Sequence, residues 1–542
     1  MDSRFLPKNV DAILYKKNSE RPGLSDESQD IFQLMAGIES SDGAVIISRK
    51  KSAIFVDGRY TLAAKQQANL DKFEILNLRN DEIIKWAKEN LPRNSQIALD
   101  YRYYTHDEIA IFTNNWKNFK FVNIDLERTL KIPPQQFDFE IYRLNNSGGK
   151  LLWVMEVIEK NNLNAYLLCD PCSIAWLLDI RDLNRKYTPV VACNLLVTKD
   201  SRKFLYLDNR YRFCNQFKFE NDLKKDLLKY SRIGIDRSQT SYHIKHRNFV
   251  DLKNPCILPK SLKSKVEIDH MKLACIEDSV AIINFLYWFH NNTEKITELT
   301  VVEKILYFRK QREGFVGESF KTIAAADEHS AMVHYYPNVN SNKTIDNILL
   351  IDSGGQYKHG TTDITRTLSR FDPTEEQKFF YTLVLKGHIA LATAKFPSGT
   401  KGAQLDSLAR RFLWQHSKDY SHSTGHGIGY MSHVHEGPIA ISKSNNVPLQ
   451  SGMILSNEPG YYQENSFGIR LENMMLVAEK SGSMFFEVIS LIPFDSKFID
   501  KNLLTEEDMY WLQRYNRSII STLKLQASVL NWLSDSYLKD FL

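Results

Sequence analysis

Two aspartates eleven residues apart are the strongest candidates for chemistry in this sequence. Asp352 ends the apolar run ILLI of residues 348–351, where a lone buried carboxylate would be costly unless a cation compensates it. Asp363 lies in TTDITRTL (residues 361–368), whose alternation predicts a half-buried strand. The turn formers of residues 354–360 predict a β-hairpin that brings the two carboxylates side by side. Two like charges held together need a cation.

Three further candidate ligands lie nearer the C-terminus. His426 is surrounded by glycines in TGHGIG, which let backbone approach closely and leave the imidazole accessible. Taken alone, such a residue is more often a loop histidine in a glycine turn. Glu458 in SNEPGYY and Glu472 in GIRLEN have apolar or turn residues around them rather than mixed charges. Four carboxylates and one imidazole would be neutralised by two divalent cations, so the five predict a dinuclear site if they meet.

The types of these side chains narrow the metal and the reaction. An oxygen-dominated ligand set suits manganese and, less selectively, cobalt, iron or zinc. Two such ions about 3.5–4 Å apart activate water and polarise a carbonyl, as in aminopeptidases. The sequence has no G-x-S-x-G, H-E-x-x-H or P-loop motif, and the glycines of residues 425–429 do not fit a nucleotide loop. Metal-assisted hydrolysis is the predicted chemistry.

The N-terminal half is predicted to form two α/β units. Short apolar runs alternate with polar helical stretches, and the first unit ends near residue 125. The same texture then repeats until residues 251–264, where Pro255 and Pro259 interrupt it and indicate a boundary. The two units look related.

The pattern changes at Lys265, where a long helix begins. The capping-box spelling TVVE predicts a second helix opening at Thr300, ahead of the strands that carry the aspartates. Amphipathic helices are predicted over residues 374–395 and 401–415. Residues 505–542 form another amphipathic segment, which is either a docking or dimerising appendage or part of the same domain's core.

Length and composition exclude several classes of protein. A chain of 542 residues is too long for one small binding module, and its formal charge of +5 is too weak a bias for nucleic acid or an anionic membrane surface as partner. Its longest strongly apolar stretch, Val280–Phe289, is about half of what a membrane span needs, and the N-terminus does not look like a signal peptide. Six cysteines predict reduced thiols rather than a disulfide framework. We therefore expect a soluble cytoplasmic protein.

The order Asp, Asp, His, Glu, Glu is similar to the metal set of the pita-bread metallopeptidases, which include methionine aminopeptidase, prolidase and aminopeptidase P. Ordered motifs along nearly the whole chain resemble the cytosolic, three-domain type of aminopeptidase P, the Xaa-Pro aminopeptidases. These motifs are DSGGQY (352–357), GTTDITRT (360–367), TGHGIG (424–429), VHEGP (434–438), NEPGY (457–461) and GIRLEN (468–473), with FVDGRY (55–60) and IAWLL (174–178) outside the catalytic region.

The resemblance implies an α/β (α+β) fold class with four parts. Two creatinase-N-like α/β domains would cover residues 1–125 and 126–262, followed by a pita-bread catalytic domain over 263–494 and a C-terminal helical extension over 495–542. It also implies a homodimer.

The resemblance further implies an activity and a role for each ligand. The family removes the N-terminal residue from peptides whose second residue is proline, using two divalent ions, usually manganese. Asp352 would chelate one metal, Asp363 and Glu472 would bridge both, and His426 with Glu458 would hold the other. Glu458 would also take the proton from the attacking water and pass it to the leaving proline nitrogen.

Five other residues are assigned by their place in these motifs. His334 and His435 match family residues that contact the substrate and the tetrahedral intermediate, and His422 matches one near the proline pocket. Arg470 would orient a metal-binding carboxylate. Arg59 matches an arginine that reaches a neighbouring active site in dimers, although a plain turn arginine explains it almost as well.

Two other functions remain open at this point. Prolidase shares the metal set but is limited to dipeptides, and a catalytically inactive pita-bread domain used for binding would have lost ligands that are all present here. The sequence departs from the family pattern at His433, where a small polar residue is common, and agrees only loosely over residues 19–22. The preferred length of substrate is therefore open as well.

Overall fold

The computed structural model describes residues 6–17, 30–133, 136–138, 140–144, 148–211 and 218–542, so residues 19–22 lie outside it. The described residues divide into two units with separate cores. The first takes the chain up to Arg185 together with Pro189–Lys260. The second takes Lys186–Thr188 and Ser261–Leu542.

The first unit contains two six-stranded sheets with the same plan. In spatial order, the first sheet consists of Phe73–Asn77, Ser52–Val56, Gly43–Ser48, Ala12–Lys17, Gln96–Leu99 and Lys120–Asn123. The second consists of Lys218–Phe219, Lys203–Leu207, Cys193–Thr198, Ala165–Leu168, Ile233–Ile235 and Phe249–Asp251. Successive neighbours in both sheets pair parallel, antiparallel, antiparallel, parallel and parallel. The expected kinship of the two α/β units therefore extends to strand order and direction. A further small sheet pairs Ile141–Arg143 with Ile180–Asp182.

Short helices cover these sheets. They are Ile31–Ala36, Thr61–Gln67, Asn80–Asn90, His106–Asn115, Leu126–Leu130, Leu152–Lys160, Pro171–Leu178, Glu220–Leu227 and, at the end of the unit, Ile257–Ser261. Side-chain caps set where several begin: Thr105 forms a capping box, and Asp170 caps a helix that has Pro171 in its first turn. The central strands are buried on both sides, as the continuous apolar runs predict.

The second unit is a set of small antiparallel sheets. The three-stranded sheets are Phe315–Glu318, Gly355–Tyr357 and Gly360–Thr361, and Ile323–Ala326, Ile348–Ser353 and Ile364–Ser369. A four-stranded sheet joins Lys395–Pro397, Ser483–Val488, Asn473–Lys480 and Ile454–Asn457. Two pairs complete the set: Gly425–His426 with Ala440–Ile441, and Gly460–Gln463 with Phe467–Arg470.

Six helices flank these sheets within the described residues: Lys265–Asn291, Glu298–Lys310, Glu375–Ala392, Gly402–Trp414, Glu506–Thr522 and Ala527–Trp532. The second of them corrects one expectation. It begins at Glu298 rather than Thr300, because Thr297 is its N-cap and accepts a hydrogen bond from the Thr300 backbone N–H. Residues Thr300 and Glu303 therefore lie inside the helix.

The tail from Glu506 packs into the core of the second unit. Leu512, Tyr515 and Ile519 on the helix Glu506–Thr522 are buried in one cluster with Phe380, Ile469 and other residues of the preceding chain. Of the two alternatives for this segment, the structure thus shows core packing with the same unit. Within the described part of the chain, no helix combines the length and apolar character that a membrane crossing requires.

Candidate metal centre

The predicted hairpin forms, but its register differs from the expected one. Strand Ile348–Ser353 pairs with Ile364–Ser369, which places Asp352 opposite Thr365. Asp363 precedes the second strand instead of lying within it, and that strand is buried on both faces rather than half-buried. Strand alternation therefore does not fix the direction of the Asp363 side chain, which can point toward ligands from later in the chain.

The imidazole and the first glutamate are supplied by two short segments whose backbones pair antiparallel. His426 lies in the strand Gly425–His426, and Glu458 directly follows the strand Ile454–Asn457. A Cβ at Gly425 would lie 2.0 Å from the Ser456 carbonyl oxygen, so only glycine lets these backbones approach this closely. The Glu458 backbone N–H donates to Thr424 O at 2.7 Å, which fixes the two segments to each other.

Glu472 enters the site from the other side of the hairpin. It lies between the strands Phe467–Arg470 and Asn473–Lys480, and its backbone N–H donates to Thr365 O at 3.0 Å. The Thr365 hydroxyl in turn donates to Glu472 Oε2 at 2.8 Å. One residue of the hairpin thus holds both the backbone and the carboxylate of Glu472.

These segments converge on the His426 ring. One ligand atom each from Asp363, His426 and Glu472 lies within 4.8 Å of the other two. His426 Nε2 is 3.3 Å from Asp363 Oδ2 and 3.6 Å from Glu458 Oε1. His426 Nδ1 lies 3.0 Å from Gly427 O, so Nδ1 donates to this carbonyl and Nε2 is the nitrogen offered to the carboxylates.

Burial and mutual repulsion perturb the carboxylates strongly. Burial, together with the charge of Asp363, raises the pKa of Asp352 to about 6, although Arg470 opposes the shift. Burial and the charges of Asp363 and Asp352 raise the pKa of Glu458 to about 7. Burial and the charges of the other three carboxylates raise the pKa of Glu472 well above its usual value. For His426, burial alone would lower the pKa, but Asp363 and Glu458 outweigh it and raise the pKa to about 9. The protein itself supplies too little positive charge for this cluster.

Arg470 connects Asp352 to the histidine expected near the proline pocket. Its Nη2 donates to Asp352 Oδ2 at 2.7 Å, and its Nη1 donates to the Tyr462 hydroxyl at 2.8 Å. His422 Nε2 lies 2.8 Å from the same hydroxyl, while its Nδ1 lies 2.8 Å from Ser423 O. Because Nδ1 donates to that carbonyl, Tyr462 donates its proton to His422. No motif marks Tyr462 as a site residue, although it lies in the segment SNEPGYY together with Glu458.

The remaining predicted site residues are placed less centrally. The His435 ring packs edge-on against His426, with centroids 4.3 Å apart. His334 is half-buried just after the turn Asp327–Ala331, whose Ser330 hydroxyl accepts from Gly468 N–H two residues before Arg470. Arg59 belongs to the first unit, where it pairs with Asp57 at 2.7 Å and with Asp42 at 3.0 Å.

The donor set fits divalent cations. Asp352 Oδ1 is buried and has no hydrogen-bond partner among the residues that the structure describes. Apart from His426, Arg470 is the cation that the described structure pairs with a carboxylate of this set, and it reaches Asp352 alone. Buried anionic oxygens that lack internal cations are what a metal ion would complete.

Comparison with known proteins agrees with this geometry. Residues 269–479 match the model of metallopeptidase family M24, and residues 482–537 match the C-terminal region of peptidase M24. Residues 30–128 and 141–267 each match the creatinase/prolidase N-terminal domain. The chain is 30% identical to aminopeptidase P1 of Arabidopsis thaliana over 92% of each protein. It is 31% identical to Xaa-Pro aminopeptidase 1 of Dictyostelium discoideum, over 93% of this chain and 90% of the relative.

Solved structures show the same architecture. The X-prolyl aminopeptidase of Caenorhabditis elegans, described as a cytosolic enzyme with a di-nuclear active site, is 25% identical with a TM-score of 0.89, covering 97% of this chain and 95% of that one. A Xaa-Pro dipeptidase from Bacillus anthracis shares the fold over 65% of this chain and 99% of its own, with 22% identity and a TM-score of 0.54.

Two creatinase-type domains followed by a metallopeptidase domain define the class as a metal-dependent peptidase and confirm the predicted fold class. The chain belongs to metallopeptidase family M24 and, within it, to the Xaa-Pro aminopeptidases, so it is a metallo-aminopeptidase. The four domain boundaries expected from the sequence stay a prediction.

Proposed function

We propose that this chain hydrolyses the first peptide bond of peptides with proline at position 2, using two divalent metal ions. The observation that carries the proposal is the convergence of Asp363, His426 and Glu472, with Glu458 at the same imidazole, in a buried cluster short of internal cations. The names of the relatives support the choice of substrate, because the match to each of them covers nine tenths of this chain or more.

Asp352, Asp363, His426, Glu458 and Glu472 would hold the ions, with Asp363 and Glu472 bridging. Two divalent ions in such a site supply Lewis-acid polarisation of the scissile carbonyl and a lowered pKa for water. Manganese is our choice, because four of the five ligands are carboxylates, and cobalt or zinc would fit less selectively.

Glu458 is the best placed of the five for proton transfer. Its side chain is 17% exposed, compared with 5% for Asp363, so it can meet the reactants while remaining beside the cluster. A carboxylate that is partly open to the reactants can accept a proton from water and release it to a leaving group within hydrogen-bond reach. Glu458 would take the proton of the attacking water on a carboxylate oxygen and deliver it to the ring nitrogen of the departing proline.

Three histidines would bind the substrate and its transition state. His435, packed against His426, would donate to the oxyanion that develops at the scissile carbonyl, and His334 would also contact the substrate. His422, which accepts from Tyr462, would lie beside the proline ring. An X–Pro bond has no N–H, so recognition must come from a pocket shaped for the ring rather than from a donor on the bond.

Prolidase activity and a purely binding role are the alternatives. Full-length correspondence to aminopeptidases favours the first proposal over prolidase, whose related structures share the fold over about two thirds of this chain. The presence of all five candidate ligands argues against a domain that has lost catalysis.

The decisive experiment compares three substrates on the manganese-loaded full-length protein. We expect release of the first residue from Xaa-Pro-Xaa peptides, no release from matched Xaa-Ala-Xaa peptides, and loss of activity with a chelator. Cleavage confined to Xaa-Pro dipeptides would assign prolidase instead. Absence of both metal binding and cleavage would assign a binding protein.

We further propose a cytoplasmic homodimer in which Arg59 reaches the partner's active site. The C. elegans relative is described as cytosolic, which supports the location. Light scattering of the intact chain measures the oligomeric state, and a monomer with full activity would remove the role proposed for Arg59.

A further inference from the structure

Arg366 is a fully buried cation that the mechanism above does not use. It lies in the strand Ile364–Ser369, three residues after Asp363, and its side chain is 0% exposed. No carboxylate forms an ion pair with it within the described part of the chain. Every hydrogen bond that the structure gives its guanidinium ends on a backbone, amide or hydroxyl oxygen.

One side of this guanidinium holds the peptide of Glu472. Nη1 donates to Glu472 O at 2.5 Å and to Thr365 O at 2.8 Å, and Nη2 donates to the side-chain oxygen of Asn473 at 2.8 Å. The side chain of Asn473 is also held by His388, since Asn473 Nδ2 lies 3.2 Å from His388 Nε2. The candidate bridging ligand is therefore fixed by its own carbonyl and by the residue that follows it.

The other side of the guanidinium belongs to the C-terminal part of the chain. Nε donates to Pro493 O at 2.9 Å, and Nη2 donates to Ile492 O at 2.5 Å and to the Tyr515 hydroxyl at 3.4 Å. That hydroxyl accepts from Ile492 N–H at 3.1 Å and lies 2.8 Å from Ile492 O. It is also 3.3 Å from Asn473 Oδ1. Tyr515 thus joins both halves of the arginine's surroundings.

We propose that Arg366 and Tyr515 are positioning residues for the metal centre, and that the helix Glu506–Thr522 is part of its support. The inference rests on the proposed function only in that Glu472 is taken as a metal ligand. The arginine fixes the peptide from which the Glu472 carboxylate projects. Its permanent charge, held in a low-dielectric interior, also offsets part of the negative potential of the cluster.

Arginine suits this position better than lysine would. The guanidinium presents five donors in a fixed plane, and its Nε and Nη1 donate to the carbonyl oxygens of Pro493, Thr365 and Glu472. A lysine has three donors on a flexible stem and would leave carbonyl oxygens unpaired in the core. Arg366→Lys is therefore expected to destabilise the whole unit, and Tyr515→Phe is the sharper test.

The matched control for Tyr515→Phe is Tyr381→Phe. Both tyrosines are buried, and the Tyr381 hydroxyl accepts from Asp495 N–H at 3.0 Å, so it also ties the same C-terminal segment to the unit. It makes no hydrogen bond to Arg366 or Asn473 in the described structure. Each variant loses one hydroxyl from the core, but only Tyr515→Phe disturbs the support of Glu472.

The experiment titrates Co²⁺ and Mn²⁺ into metal-free full-length protein by calorimetry and records the absorption spectrum of the cobalt form. Loss of an outer-layer contact typically weakens metal affinity by about 10-fold or more. We expect a weakening of about 10-fold and an altered cobalt spectrum for Tyr515→Phe, and wild-type affinity and spectrum for Tyr381→Phe, with similar losses of melting temperature in both.

Wild-type affinity and an unchanged cobalt spectrum in Tyr515→Phe would overturn the inference. Equal weakening in both variants would also overturn it, because general anchoring of the C-terminal segment would then explain the effect. These readouts do not depend on peptide cleavage. A wild-type protein that binds two metals but fails to cleave Xaa-Pro peptides would therefore reject the proposed function and leave this inference standing.

Discussion

Buried carboxylates are handled in two opposite ways within the second unit. Away from the cluster, Asp278 accepts hydrogen bonds from Arg309 Nε at 2.7 Å, from Arg309 Nη2 at 3.1 Å and from the Tyr357 hydroxyl at 2.9 Å. Asp406 receives Arg410 Nε at 2.7 Å and the Thr424 hydroxyl at 2.6 Å. Within the cluster, Asp352 leaves one oxygen without a protein partner and Glu472 receives one hydroxyl.

A third buried carboxylate shows that full compensation does not require an arginine. Glu298 is 0% exposed and accepts from Ala326 N–H, His329 Nδ1, the Tyr335 hydroxyl and Lys343 N–H. The same chain can therefore satisfy an internal carboxylate completely. Where it does not do so, as at Asp352 and Glu472, a metal ion bound from outside the polypeptide would supply the missing positive charge.

The largest expected effect comes from removing a ligand charge. Glu472→Gln replaces an anionic oxygen by an amide and should cost several kcal/mol of transition-state stabilisation, roughly a thousandfold in kcat/KM, together with metal binding. Elemental analysis and peptide assays measure both. The control is Glu479→Gln on the exposed end of the strand Asn473–Lys480, which should retain metal and activity. Full metal content in Glu472→Gln would reject the ligand role.

The opposite result is expected at a compensated carboxylate. Asp278→Asn leaves the guanidinium of Arg309 buried without its anionic partner and should lower the free energy of unfolding by about 3–5 kcal/mol. Protein that remains folded at low temperature should still bind its metals. Denaturant unfolding and metal analysis check this, and a stability equal to wild type would show that the pair is not the compensation proposed here.

A smaller effect is expected from a neighbour that is not a ligand. His435→Ala removes a donor beside His426 and should lower kcat about 100-fold, as for other oxyanion donors, while the metals stay bound. His416→Ala is the control, because that residue is exposed just beyond the helix Gly402–Trp414 and its ring contacts Phe379. Loss of metal in His435→Ala would place that residue among the ligands.

In metal-free protein, the melting temperature should show that a carboxylate of the cluster, unlike one fully paired by the protein, does not stabilise the fold. Glu472→Gln removes a carboxylate whose pKa is raised by burial and by three like charges, so the metal-free variant should melt at least as high as metal-free wild type. Adding Mn²⁺ at 100 times its dissociation constant should then stabilise wild type by about 2.7 kcal/mol and leave the variant unchanged. Calorimetric scans with and without metal provide the comparison.

A last prediction concerns pH. In the metal-free protein the pKa values of Asp352 and Glu458 are raised to about 6 and about 7, so the folded state binds more protons than the unfolded chain between pH 4 and pH 7. Stability should therefore fall as pH rises through this range. The pKa of His426, raised to about 9, extends the fall in the same direction, because its contribution is lost as pH rises toward 9. Melting temperatures measured from pH 5 to pH 9 would contradict this if they rose.

Two of the candidate ligands stand out in the sequence because they break a local rule. An aspartate that ends an apolar run and a histidine among glycines are conspicuous without any knowledge of the fold. Arg366 breaks a rule too, since alternation places it on the same face as Ile364 and Leu368, but the sequence does not show which groups it would contact. Its contacts with Glu472 and Tyr515 join positions more than a hundred residues apart, which no local pattern encodes.

The helix Glu298–Lys310 begins two residues before its predicted start, and the cause lies in tertiary packing. Thr297 and Thr300 both begin plausible caps, and the spelling at Thr300 is the better capping box. The helix starts at Glu298 because its carboxylate has to reach the backbone and side chains of residues 326–343. Local propensity decided that a helix would form here, and packing decided where it would begin.

The contact between Gly425 and the Ser456 carbonyl has a consequence for redesigning metal preference. The separation of the His426 and Glu458 side chains depends on the close approach of the two backbones that carry them. A methyl group at residue 425 would push these backbones apart. Mutagenesis that aims to suit the pocket to a larger or smaller ion should keep this glycine fixed and vary the supports of Glu472 instead. Any such adaptation would have to come from the side of the site that Thr365 and Arg366 support, where side-chain hydrogen bonds can be changed one at a time.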